Sequence, residues 1–333
     1  MRFDVPLFKI SQRAILPIEK FWIDAAPFVI FFCILIAAHA LLHRGKRVQL
    51  WRRVSQTVSA FVFIIFLHRC LCMLRGWIFA LNKVGRNDIV AFGHLCMFVL
   101  LVSLTLSFGR LFCGWLCPLG FFSEILSLPS RRRSRLPTGR RLLSGYLMLG
   151  GVTILVAWLG WLVRPGTQFF SENVSALWGA FLLLFLGLVL PFERKDRFFK
   201  KFKYVSVILW LGLSVIGVFV TSPWCTFFGD EIDYSSAVSL AAVLAGALVV
   251  PMAWCRYMCP MGGALGWLTR FSTIRVRMTG ECTNCGGCDS TCPMGALDRG
   301  DVDGSSCIYC GQCNQVCDYR FVTETSKDKG DEA

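Results

Sequence analysis

Eight cysteines crowd the C-terminal part of this 333-residue chain in two matching runs. The first reads Cys282-x2-Cys285-x2-Cys288-x3-Cys292-Pro293, and the second reads Cys307-x2-Cys310-x2-Cys313-x3-Cys317. Three thiolates at this spacing wrap three irons of a cubane [4Fe–4S] cluster. Where two such runs occur together, the fourth cysteine of each ligates the other cluster. The spacing therefore predicts one cluster on Cys282, Cys285, Cys288 and Cys317. It predicts a second on Cys307, Cys310, Cys313 and Cys292. Gly286, Gly287 and Gly311 suit a backbone that turns tightly and aims N–H groups at sulfur. Paired C-x2-C units also bind zinc, but a tripled unit occurring twice points to iron–sulfur. Asp318 follows Cys317 where the first run has Pro293, which predicts a more exposed second run.

A different cysteine pattern also occurs twice. Cys113-Gly-Trp-Leu-Cys117-Pro118-Leu-Gly120 and Cys255-Arg-Tyr-Met-Cys259-Pro260-Met-Gly262 both read C-x3-C-P-x-G. A spacing of i, i+4 puts two thiols on one face of a helix. Pro118 and Pro260 lack a backbone N–H and so start or bend the next segment. Two such pairs at one level would converge into a four-thiolate site, which iron–sulfur clusters and zinc both accept. Buried structural thiols are the plainer reading. The doubling favours a further metal or redox centre on Cys113, Cys117, Cys255 and Cys259.

The elements that must carry these motifs are apolar. The chain is 55% hydrophobic and only 17% charged, against about 25% charge in ordinary soluble domains. Seven runs approach the roughly 20 residues a bilayer core requires: 21–42, 54–72, 89–109, 142–163, 176–192, 204–221 and 236–254. Positive charge bunches in alternate loops, at Arg44–Arg53, Arg131–Arg141 and Arg194–Lys203. That pattern places those loops, and the tail after the seventh run, in the cytoplasm. The net charge of +14 is then a matter of topology and anionic lipid, not of nucleic acid. The predicted fold is an α-helical polytopic membrane protein with six to seven spans and a pseudo-repeat. A C-terminal two-cluster ferredoxin-like domain follows it. Residues 1–270 form the membrane domain, 271–322 the cluster domain and 323–333 a disordered tail.

The two C-x3-C-P motifs, together with the C-terminal two-cluster segment, resemble the NapH/MauN group of membrane iron–sulfur proteins. The C-terminal half of NosR is similar. The resemblance covers residues 50–320. It implies a bacterial inner-membrane protein that passes electrons from the quinol pool towards a periplasmic redox enzyme, with quinone as substrate and a redox protein as partner. The chain would then be the quinol dehydrogenase component of an electron-transfer complex. The alternative is an accessory factor that supplies cytoplasmic electrons for maturing a periplasmic metalloenzyme.

His68 and His94 fall at matched depth near the outer ends of two predicted spans. There they suit a quinone headgroup or a haem. Hydrogen-bonded interhelical histidines are the plainer reading. Cys70, Cys72 and Cys225 fall on the outer side, where a disulfide is permitted. Cys33 and Cys96 read as packing residues.

Overall fold

The computed structural model describes residues 33, 37, 48–61, 89–127, 137–162, 174–190, 196–215, 234–279, 282, 283 and 285–323. Helix α1 (Val48–Phe61) is inverted relative to a helix built for water. Val48, Arg52, Gln56, Ser59 and Ala60 recur about one turn apart and are buried. Leu50, Trp51, Val54, Val58 and Phe61 face outward. Its inner face is polar because it must satisfy buried polar groups of the elements it covers.

The helices that follow are α2 (Ile89–Phe108), α3 (Leu111–Trp115), α4 (Pro118–Leu126), α5 (Pro137–Leu162), α6 (Val174–Val189), α7 (Asp196–Phe199), α8 (Phe202–Val215), α9 (Tyr234–Val249), α10 (Ala253–Tyr257) and α11 (Pro260–Leu268). Helix α6 packs between α5 and α9, α9 reaches α4, and α8 lies along α11. Trp178, Leu182, Leu186, Val243 and Met258 fill the core between them. Leu149, Val156, Ile208, Phe181 and Leu188 remain exposed on the outer helices.

Described helices fall within or overlap six of the seven predicted spans, with one shift. The second starts at Val48, six residues before the apolar run, because its first turn docks the tail. Among residues whose side chains are described, no helix is both long and apolar enough to cross a membrane. The first span, apart from residues 33 and 37, lies outside the described residues, as do residues 128–136 and 216–233 of the loops.

The tail is a small unit of two two-stranded sheets. Strand β1 (Ile274–Met278) leads to α12 (Gly287–Thr291), then β2 (Leu297–Asp298), β3 (Asp301–Val302) and β4 (Tyr319–Thr323). β1 pairs antiparallel with β4, with Ile274 opposite Thr323 and Met278 opposite Tyr319. β2 and β3 form a two-residue hairpin through Arg299 and Gly300, both at positive φ, the turn geometry that matches strand twist. Each cysteine run ends in a short helical turn, α12 in the first and Cys313–Gln315 in the second.

Candidate metal centres

The two C-x3-C-P motifs fold alike. Each first cysteine is the third residue of a five-residue helix, Cys113 in α3 and Cys255 in α10. Each second cysteine is extended, with φ −66° and ψ 113° at Cys117 and φ −62° and ψ 111° at Cys259. Each then caps a nine-residue helix that opens on proline. The i, i+4 expectation of one continuous helix is therefore corrected. Proline disfavours helical geometry in the residue before it but suits the first position of a new helix. The first helix closes by wide turns, Cys117 N–H to Phe112 O at 3.0 Å and Cys259 N–H to Trp254 O at 2.8 Å. The pairs still meet, because the proline break turns each second thiol back towards the first.

The thiols gather in three groups of four. Around Cys317, whose thiol is raised by burial, lie Cys288, Cys285 and Cys282. Around Cys307, pushed well up by burial, lie Cys310, Cys292 and Cys313. Around Cys255, also pushed well up by burial, lie Cys259, Cys117 and Cys113. Cys317 is thus felt by the thiols of the first run, and Cys292 by Cys307 of the second. Burial, reinforced by neighbouring thiols, lifts Cys117 to about 12, Cys313 to about 12 and Cys310 to about 11. Such thiols ionise only if a cationic core replaces the lost water, which an iron–sulfur core does. Cys285 is the exception: its pKa is lowered, mainly by the Gly287 N–H.

Backbone N–H groups already point at sulfur, Gly262 N to Cys259 Sγ at 3.3 Å and Ala296 N to Cys292 Sγ at 3.2 Å. Gly286 and Gly311 take φ of +71° and +68° within the two runs. Thiol donors, oriented amides and burial all suit a thiolate-held cluster. Among the described residues, no three His, Cys, Asp or Glu side chains form a group for a single metal ion. Cys317 is half-buried and Asp318 exposed. Yet Cys285 and Cys282 of the first run are exposed while Cys310 is buried. The outer group of thiols is therefore the one completed by Cys317, and the expectation that the whole second run is the exposed one does not hold.

The second tail group and the C-x3-C-P group share one apolar patch. Met252, Met294, Ala296, Ile308 and Cys310 are buried there, with Cys113, Cys255, Cys292 and Cys307 packed against them. The segment Ser305–Gln312 makes this contact. Trp115 Nε1 donates to Tyr309 O at 3.0 Å and Gln49 Nε2 to Cys310 O at 2.7 Å. Gly114 lies so close to the Ile308 carbonyl that no side chain fits. Tyr309 lays its ring on Gly109, and its hydroxyl donates to Ile274 O at 2.8 Å.

Charged residues around this contact were not recognisable from spacing. Arg52, fully buried, pairs bidentately with Glu124, one bond being Nη1 to Oε2 at 2.7 Å. Gln312 from the tail donates to Glu124 Oε1 at 2.7 Å. Arg110 Nη1 and Lys203 Nζ both donate to Ser305 O, at 2.7 Å and 3.0 Å. Lys200 donates to Gly295 O. Burial, then Arg110, pushes Lys203 down to about 7. Burial works against the charge on Arg110, but the thiols of Cys113, Cys259 and Cys255 outweigh it and its pKa is raised. The basic loops are therefore not merely topological: Arg52, Lys200 and Lys203 hold the tail in place.

His68, Cys70, Cys72 and Cys225 lie outside the described residues, as do the side chains of His94 and Cys96. Cys33 is exposed, not a packing residue among the described ones.

The 4Fe-4S binding domain family matches the chain twice, over residues 90–137 and 232–278. Each match contains one C-x3-C-P motif and its two helices. An uncharacterized protein of Methanocaldococcus jannaschii is 26% identical across 81% of this chain and 93% of its own length. The ferredoxin-type protein NapH of Haemophilus influenzae is 22% identical over 63% of this chain and 60% of itself. The methylamine utilization ferredoxin-type protein MauN of Paracoccus denitrificans reaches 38% over 26% of this chain and 31% of itself. The homologues are ferredoxin-type proteins of the NapH and MauN kind. NirI and YccM are among them. With the 4Fe-4S domain, this supports an iron–sulfur electron-transfer protein. No solved structure matches it.

Proposed function

We propose that the chain is a membrane-anchored electron relay with three iron–sulfur centres. Cys282, Cys285, Cys288 and Cys317 would hold the outer one. Cys292, Cys307, Cys310 and Cys313 would hold the middle one, and Cys113, Cys117, Cys255 and Cys259 the inner one. The single observation that carries this reading is the shared apolar patch, in which Cys113 and Cys255 pack with Cys292, Cys307 and Cys310. The family match over both C-x3-C-P motifs supports the inner centre.

Bound clusters supply one-electron transfer. The chain's own residues keep water out of the path, aim amides at sulfur and fix the tail against the helices. The polar inner face and apolar outer face of α1, with exposed Leu149, Val156 and Ile208 on other helices, support a lipid surround. With the basic loops, this favours a bacterial inner membrane with the tail in the cytoplasm. Quinol is the donor that fits such a site. A periplasmic redox enzyme served through the membrane is the acceptor proposed with it.

Purified full-length protein in proteoliposomes tests the reading. The expected result is iron and acid-labile sulfide sufficient for three centres, with EPR signals that develop on adding quinol. Reduction only by a soluble ferredoxin or flavodoxin would instead make the chain an accessory protein for maturing a periplasmic metalloenzyme. Iron content unchanged by replacing Cys113 and Cys255 with serine would remove the inner centre.

A further inference from the structure

Arg110 is 1% exposed, and no carboxylate is among its hydrogen-bond partners. A buried guanidinium with no countercharge is destabilising by several kcal/mol as an order of magnitude. The hydrogen-bond partners of Arg110 are a neutral carbonyl, Ser305 O at 2.7 Å, and a thiol, Cys113 Sγ at 4.0 Å. Its Nε has none. Glycine makes room for it: a Cβ on Gly262 would come within 2.9 Å of Nη2, and one on Gly266 within 3.5 Å of Nη1. The fold has cleared space to bury a cation against thiols, and among the described residues no carboxylate bonds to it.

The second half of the repeat sharpens this. The residue three before Cys113 is Arg110, and the residue three before Cys255 is Met252. Met252 is just as buried, at 1% exposed, and its methyl group lies 3.8 Å from where a Cβ on Gly120 would be. Each of the two side chains thus covers the motif glycine of the opposite half. The scaffold accepts an apolar side chain at this position, so a cation here is not a demand of packing.

We infer that Arg110 is the counter-cation of the centre held by Cys113, Cys117, Cys255 and Cys259, and that its charge raises the reduction potential of that centre. The inference rests on the inner centre proposed above. Four thiolates outweigh the positive charge of an iron–sulfur core, so the centre is net negative and becomes more so on reduction. A fixed positive charge in a site of low dielectric stabilises the reduced form more than the oxidised one. Because Arg110 also holds Ser305 O, the same side chain couples the tail's position to the inner centre.

The test is an EPR-monitored redox titration of full-length protein, with dithionite and mediators, on wild type, Arg110→Lys, Arg110→Met and the Cys113→Ser/Cys255→Ser pair. The cysteine pair identifies which signal is the inner centre. If that pair leaves every signal and the iron content unchanged, the inner-centre reading fails, and this inference with it. With the signal identified, Arg110→Met is expected to lower its reduction equilibrium constant at least tenfold, about 59 mV for a one-electron couple. Arg110→Lys should retain most of the wild-type value, and the tail signals should stay where they are. Loss of the inner signal alone in Arg110→Met, with retention in Arg110→Lys, also supports a charge requirement. An unshifted potential in Arg110→Met overturns the inference. So does equal loss of all signals in both variants, since that marks a packing role that charge does not serve.

Discussion

Residues 111–126 and 253–268 form matching pairs of short helices broken before proline, yet they bury different chemistry. The first half carries Glu124 where the second has Gly266. Glu124 neutralises Arg52 and accepts from Gln312 of the tail. Gly266 instead lets the tail backbone in: a Cβ there would stand 2.5 Å from Ser305 O. The contrast reverses one residue after each leading cysteine. Gly114 admits the Ile308 carbonyl, whereas Arg256 lays its guanidinium against Gly295. Both halves grip the tail with a side chain and a close backbone approach, but at exchanged positions, Glu124 and Gly114 in one and Arg256 and Gly266 in the other. A repeated scaffold that holds one unrepeated segment must break its symmetry in the side chains, because Ser305–Gln312 has no two-fold of its own.

The comparison breaks most readily at Glu124. Replacing it with alanine strands a fully buried Arg52 and removes the acceptor of Gln312. The expected loss is about 3–5 kcal/mol, read as a lower thermal unfolding midpoint, with a smaller drop for Glu124→Gln. Gly114→Ala comes next. It drives a methyl group into the Ile308 carbonyl and should cost about 1–3 kcal/mol, with faster proteolysis in the tail; Arg256→Ala at the matching position should cost less. Trp115→Phe removes a buried hydrogen bond to Tyr309 O. About 1–3 kcal/mol is expected, with faster amide hydrogen exchange through residues 307–311. Lys203→Met should be mildest, about 1 kcal/mol or less. Arg110 still holds Ser305 O, and a lysine already lowered to about 7 loses little by losing its charge. A Lys203→Met cost equal to that of Glu124→Ala would show that the tail contact at Ser305 depends on charge as much as the one at Gln312.

The cysteine spacing carried the most information. The proline-started helices and the repeat were legible, because they follow from local covalent rules and one short motif. The continuous helix expected through each C-x3-C-P pair was not, because the restriction proline places on Cys117 and Cys259 outweighs helical periodicity. The Arg52–Glu124–Gln312 network was invisible for another reason. Its members are separated by 72 and 188 positions, and Arg52 sits in a basic cluster that by composition alone signals topology. Arg110 was equally hidden, since a single arginine beside an apolar run carries no mark of burial.

The ladder between β1 and β4 has a consequence for repair. It joins Met278 to Tyr319, so the stretch bearing all eight tail cysteines is a closed loop whose ends stay together when its contents are lost. For such a loop the entropy of bringing distant thiols back into reach is already spent. A chain stripped of iron by oxidation therefore keeps its ligands at high effective concentration, ready to be refilled in place without unfolding.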